Sequence, residues 1–171
     1  MKNMVKHFYL FLFLILTHST AQALTPCHDA SRQCMIAVGK TYLNALVTHD
    51  AAFVPLAEDV KRWQNGVKTA ANARDLRMSI DTDFAIKTIK QIRDVRWIID
   101  GNQAIAFYLL DTSIPYAKIH ASTTRIAERF LITDGLIKEI EVIFCNSPSF
   151  RPEGREVKPH TPLSFICTRT I

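Results

Sequence analysis

No apolar run in this sequence approaches the roughly 20 residues that a membrane-spanning helix requires; the longest, from Phe8 to Leu16, is less than half of that. Several catalytic and cofactor signatures are also missing. There is no Gly-rich phosphate loop, no G-x-S-x-G nucleophile turn, no C-x2-C pair and no helical H-x3-H spacing. Motif support is therefore absent for nucleotide cradling, for serine or cysteine nucleophiles and for a zinc site, and no cofactor is implied. Charge of one sign is not in large excess either. The chain carries 21 Lys and Arg against 16 Asp and Glu, a formal +5. That surplus is spread thinly, without the concentrated basic stripe that marks a nucleic-acid partner. Repeats, low-complexity runs and interior linkers are absent as well.

What is present begins with an address. Lys2 and Lys6 precede the apolar run, and Ala21-Gln22-Ala23 closes it, the three-part grammar of a secretory signal peptide spanning residues 1–23. Cleavage after Ala23 removes two lysines and leaves 19 basic against 16 acidic residues, a formal +3. The expected product is a secreted or periplasmic protein with no membrane span. Leu24-Thr25-Pro26 puts a proline where a lipid-attachment site at Cys27 would want a small residue. About 148 residues remain, enough for one domain with a single core.

Four cysteines, Cys27, Cys34, Cys145 and Cys167, suit an oxidising compartment and most simply make two disulfides. Three pairings exist. In a helix capped at Thr25, Cys27 and Cys34 would lie about 10.5 Å apart along the axis, too far to bridge. A helix starting near Ser31 makes a local Cys27–Cys34 link feasible, with Cys145 joining Cys167, and this arrangement is preferred.

Apolar residues at helical spacing, Met35, Val38, Tyr42 and Leu46 with Ile36 and Leu43, predict a helix over 31–48. Residues 51–57 read as a short second helix, 60–66 as an extended piece ending in the turn Asn65-Gly66, and 69–78 as a third helix. From residue 84 the pattern changes to long strands. Helices first and strands second argue α+β, with helices on one face of a mostly antiparallel sheet.

Two hairpins carry the strand half. Asp100-Gly101-Asn102 turns one strand into the next and sets Val95, Trp97 and Ile99 on the face of Ala104, Ala106 and Tyr108. Ile105, Phe107 and Leu109 make the opposite face nearly as apolar, which suggests a covered or dimeric sheet. For the second hairpin, a two-residue Asp134-Gly135 loop would place Glu128 opposite Glu141. A three-residue loop, Thr133-Asp134-Gly135, instead pairs Arg129 with Glu139 and gathers Ile126, Phe130, Ile132, Leu136, Ile140, Val142 and Phe144 on one face. That register is preferred. It puts Glu128 in the middle of the apolar face, opposite Ile140 and diagonal to Lys138. A carboxyl there is either a pocket group with a raised pKa or one half of an edge ion pair with Lys138.

The order of elements resembles the cone-shaped fold of the nuclear transport factor 2-like superfamily, and within it the SnoaL-like group. The residues that carry the likeness are Tyr42-Leu43-Asn44-Ala45-Leu46-Val47-Thr48-His49-Asp50, the piece ending Gln64-Asn65-Gly66, and residues 129–141. It spans residues 35–145. The resemblance implies a curved antiparallel sheet packed on three N-terminal helices, with a deep pocket between them for a small apolar or amphipathic molecule. It also implies that a homodimer through the sheet is feasible. Isomerases and cyclases of this fold place an acid/base carboxyl and polar donors on the pocket-facing strands. Here Glu128 and Tyr108 supply those residue types as catalytic candidates, and Asp94 is a further inward candidate.

Trp63 and Asn65 could line the pocket mouth, although an aromatic before Asn-Gly also reads as a packing lid. Trp97 could contact a ligand but alternates with apolar residues as a core side chain does. His28, His49, His120 and His160 fall at ends or loops and read as solvated. The tail, 146–171, with Pro148, Pro152, Pro159 and Pro162, reads as an irregular extension before a strand-like 163–168, fastened through Cys167 and laid over the outer sheet face. The leading reading is an exported protein that binds a small molecule in a pocket between sheet and helices, with an isomerase- or cyclase-like enzyme using a pocket carboxylate and a dimeric protein-interaction module as the alternatives.

Overall fold

The structure is a computed structural model that describes residues 31–114 and 119–145. The expectations for the leader, for Cys27 and Cys167, for the Cys145 side chain and for the C-terminal extension lie outside the described residues. Ser31 opens the first helix, α1 (Arg32–Thr48), by accepting a hydrogen bond from the Cys34 backbone N–H at 3.3 Å. The helix therefore starts where the local Cys27–Cys34 link requires, and Cys34 is not a free thiol. His49 ends α1 in a left-handed conformation, its N–H returning to the Ala45 carbonyl at 2.8 Å. Its ring is not solvated as expected but sits half-buried, with Nε2 3.2 Å from the Ile89 carbonyl.

The second helix expected over 51–57 does not form. Val54 precedes Pro55, which disfavours helical backbone, and a single turn closed by the Val54 N–H on the Ala51 carbonyl at 3.2 Å takes its place. Arg77 holds this connection through the carbonyls of Ala51 and Val54. Strand β1 (Leu56–Gln64) follows, then Asn65-Gly66, both at positive φ, then β2 (Val67–Ala70). The hairpin consumes residues expected to be helical, so the next helix, α2 (Ala73–Thr82), starts later than 69, at an Asn72 cap whose side chain accepts from the Asp75 N–H. Asp83 then caps the short α3 (Phe84–Lys87).

Four long strands complete the chain: β3 (Ile89–Asp100), β4 (Gln103–Ile114), β5 (Ile119–Thr133) and β6 (Leu136–Cys145). The sheet is six-stranded, curved and open, in the order β2-β1-β6-β5-β4-β3. All pairs are antiparallel except β1 with β6, which run parallel. Met35, Val38, Tyr42, Leu43 and Leu46 of α1 and Leu76 and Ile80 of α2 bury against one face of this sheet, whose core residues include Ala104, Phe130, Ile137 and Ile140. Among the described residues, no helix is long and apolar enough to cross a membrane.

The β5–β6 turn corrects the three-residue loop. Thr133 pairs with Leu136, leaving the two-residue loop Asp134-Gly135, and a bulge after Ile137 makes Lys138 the extra residue. Beyond that bulge Arg129 pairs with Glu141 and Glu128 with Val142 rather than Ile140. Beyond the bulge the expected and observed registers differ by two residues, so each side chain there keeps its face. Only the turn end changes: Ile137, fully buried, takes the core place expected of Leu136, which is 38% exposed.

Candidate functional site

Alternation along β5 puts Glu128 between Ile126 and Phe130 on the core face, 1% exposed, directly beneath α1. Three polar side chains converge on it. Tyr108, from β4, donates its hydroxyl to Glu128 Oε2 at 2.7 Å. Tyr42, from the core stripe of α1, stands edge-on to Phe130 with ring centroids 5.4 Å apart, and its hydroxyl faces both Glu128 and Arg62. Arg62, from β1, donates from Nε to the Tyr42 hydroxyl at 3.1 Å and from Nη1 to Gln64 Oε1 and Thr69 Oγ1, both at 2.9 Å. Thr69 is the unpaired residue of a bulge in β2, which turns its hydroxyl toward that guanidinium. The cluster thus runs from a buried carboxyl to the polar rim of the β1–β2 hairpin.

Burial pushes the Glu128 carboxyl above the usual carboxylate range, against the Arg62 charge and the tyrosine hydroxyls, which pull it down. Burial, reinforced by the neighbouring Glu128, likewise pushes both tyrosines well up, so they act as neutral donors. Glu128 Oε1 is buried and has no hydrogen-bond partner among the described residues. The same is true of the Trp97 indole nitrogen. The registers place Trp97, Ala106, Glu128 and Val142 in one row across four strands. A one-methyl side chain, that of Ala106, therefore separates the two unpaired groups.

Tyr108 and Glu128 meet on the core face; of the two readings of Glu128, the ion pair with Lys138 does not form. Lys138, displaced by the bulge, reaches Asp59 at 3.5 Å instead. Trp97 is on the core face, its ring 6.1 Å from that of Phe130 and close against Gly39 of α1. Trp63, Asn65 and Asp94 are elsewhere. Trp63 pairs in register with Glu141, so it faces the outer side of the sheet, where the Lys68 ammonium lies 5.0 Å from its ring centroid. The Asn65 side chain is used on the Phe144 backbone, donating to its carbonyl and accepting from its N–H. Asp94 sits at positive φ in a β3 bulge with its side chain 69% exposed, paired to Arg93.

Arg62 was not among the candidates, yet its signal was legible. It lies two residues from the buried Val60, at inward parity on β1, as a charge opposite in sign to Glu128. Tyr42 was legible only as core, but a buried tyrosine hydroxyl needs a partner. Among the described residues no group of three or more His, Cys, Asp and Glu side chains could hold a metal ion.

This curved sheet over a long helix is the nuclear transport factor 2-like (NTF2-like) fold. An NTF2-like protein from Anabaena variabilis superposes with a TM-score of 0.57 at 12% identity, over 73% of this chain and 96% of that one. An LEH-like epoxide hydrolase from M. tuberculosis gives 0.55 at 16% identity, over 66% and 83%. A de novo designed protein with a curved β-sheet gives 0.55 at 15% identity, over 71% and 91%. At these identities the likeness is one of fold alone. The chain belongs to the family described as Domain of unknown function (DUF8021), which matches residues 28–144. No curated protein matches it.

Proposed function

We propose that this protein binds a small, mainly apolar or amphipathic molecule between the sheet and the helices and holds its polar end at Glu128 and Tyr108. One observation carries the reading: Glu128 Oε1 is buried without a partner while Oε2 is fixed by Tyr108. An unsatisfied buried oxygen costs about 1–3 kcal/mol, a cost that a ligand hydroxyl or carbonyl can offset. The carboxyl can meet either, accepting from a hydroxyl when ionised or donating to a carbonyl when protonated.

Proton-transfer catalysis by the same group is the second reading, favoured by the raised carboxyl pKa. In that reading Glu128 moves a proton next to a substrate carbonyl, as an isomerase or cyclase would, and neutral Tyr108 supports the polar end. The SnoaL-like likeness, residues 35–145, points the same way. The leader over residues 1–23 and the four cysteines support export into an oxidising compartment.

Native mass spectra of the mature protein, purified from an exported and oxidised preparation, test the binding reading. A releasable small-molecule adduct, lost or weakened in Glu128→Leu, is the expected result. Protein without adduct, and no adduct taken up from a lipid extract of the source culture, counts against it. Turnover of an identified ligand that vanishes in Glu128→Gln while binding persists supports the enzyme reading; turnover that survives refutes it.

A further inference from the structure

The face of the sheet opposite Glu128 carries a second feature. At Asp94 and Val95 the β3 strand bulges away from β4, with Asp94 at φ 57, a conformation that costs a non-glycine residue energy and that bulges near sites use to re-aim side chains. Beside the bulge lies a groove of about 510 Å³. Phe107 and Leu109, two residues apart on β4, make its apolar floor. Arg96 flanks Phe107 from β3, and Arg125 flanks Leu109 from β5. The nearby Arg93 guanidinium is committed to Asp111, at 2.7 and 3.3 Å. Those of Arg96 and Arg125 make no ion pair or hydrogen bond among the described residues.

We propose that this groove is a second binding site, which takes an anionic amphiphile: a carboxylate held by Arg96 and Arg125, with its aliphatic chain on Phe107 and Leu109. Asp94 also lines the groove, but its carboxylate is paired to Arg93, so the two unpaired guanidinium groups astride the apolar floor still match that ligand class in charge and in polarity, and the volume is that of a small-molecule site. Charge argues against two other occupants. A second copy docked by a two-fold axis through the groove would bring Arg96 and Arg125 against their own equivalents. Residues 146–171 are net basic, with Arg151, Arg155, Lys158 and Arg169 against Glu153 and Glu156.

Glu128 does not line the groove, although its hydrogen-bond partner Tyr108 does; titration calorimetry with decanoate, and with decanol as the uncharged control, tests the proposal on the full mature protein. Decanoate should bind, decanol more weakly, and added salt should weaken decanoate alone. Arg96→Gln combined with Arg125→Gln should raise the decanoate Kd about tenfold or more, the loss of one charge-assisted contact being enough for that. Both positions are exposed, so the variant should keep the wild-type melting curve. Glu128→Gln should leave decanoate binding unchanged. No decanoate binding, decanoate binding that added salt leaves unchanged, or equal binding by the double variant overturns the proposal. A loss in Glu128→Gln alone also overturns it, and would place the ligand at the inner site instead.

Discussion

Glu128 owes its behaviour to burial, which raises its pKa more than Arg62 and the two tyrosine hydroxyls lower it. A carboxyl with a folded pKa above its unfolded one keeps its proton in the native state over a range where the unfolded chain has lost it. Stability therefore falls as the pH rises above the ordinary value of 4.5, until the folded pKa is passed. Glu128→Gln keeps an acceptor for the Tyr108 hydroxyl and removes the titration. Wild type should accordingly lose stability relative to this variant as the pH is raised from 4.5 toward neutrality, read from urea midpoints. Parallel curves for the two proteins would sink the assignment. Arg62→Met takes away the positive charge that restrains the carboxyl. It should move the Glu128 titration further up in carboxyl-carbon NMR, and an unmoved titration would mean that the charge is not felt.

At the scale of elements, the contact between α1 and β3 is governed by Gly39. A methyl group there would lie 2.4 Å from the edge of the Trp97 ring. Gly to Ala in a helix gains about 1 kcal/mol of propensity. Overpacking a core costs about 1–3 kcal/mol, and a ring wedged between Phe130 and the helix has little room to yield. Overpacking should win, so Gly39→Ala is expected to lower stability by up to about 2 kcal/mol, and an increase in denaturation midpoint would show that the helix can lift. The same elements show what was legible. Helical spacing located α1, and alternation located β3 to β6 and put Glu128 on the apolar face. Parity protected that placement even though the turn was misjudged, since two-residue slips do not exchange faces. Bulges at Thr69, Asp94 and Lys138 were not legible. Each inserts one residue and so resets what alternation predicts beyond it. The Lys138 bulge is why an ion pair with Glu128 stood as one of two readings of that carboxyl, whereas the inward reading of Asp94 came from the family resemblance, alternation with Val95, Trp97 and Ile99 setting it on the opposite face.

For the whole molecule the parallel pairing of β1 with β6 is decisive, because it brings residues far apart in the chain into one sheet. The β1–β2 hairpin has no other strand neighbour. Arg62, which joins the Glu128 cluster from that hairpin, is held there by β6, where it pairs in register with Ile140. An isolated two-stranded hairpin is marginal in water, so the hairpin and its polar rim depend on the last strand. Removing β6 also takes Ile137, Ile140 and Val142 out of the core under α1. A chain ending at Thr133 should therefore fail to fold cooperatively, although β3, β4 and β5 remain an antiparallel meander. Near-ultraviolet circular dichroism and amide dispersion in NMR would read this directly. A native-like spectrum with a sharp melting transition would mean that the meander and α1 make a self-sufficient core. In that case the β1–β2 hairpin, with Arg62, is an appendage to the site instead of part of its frame.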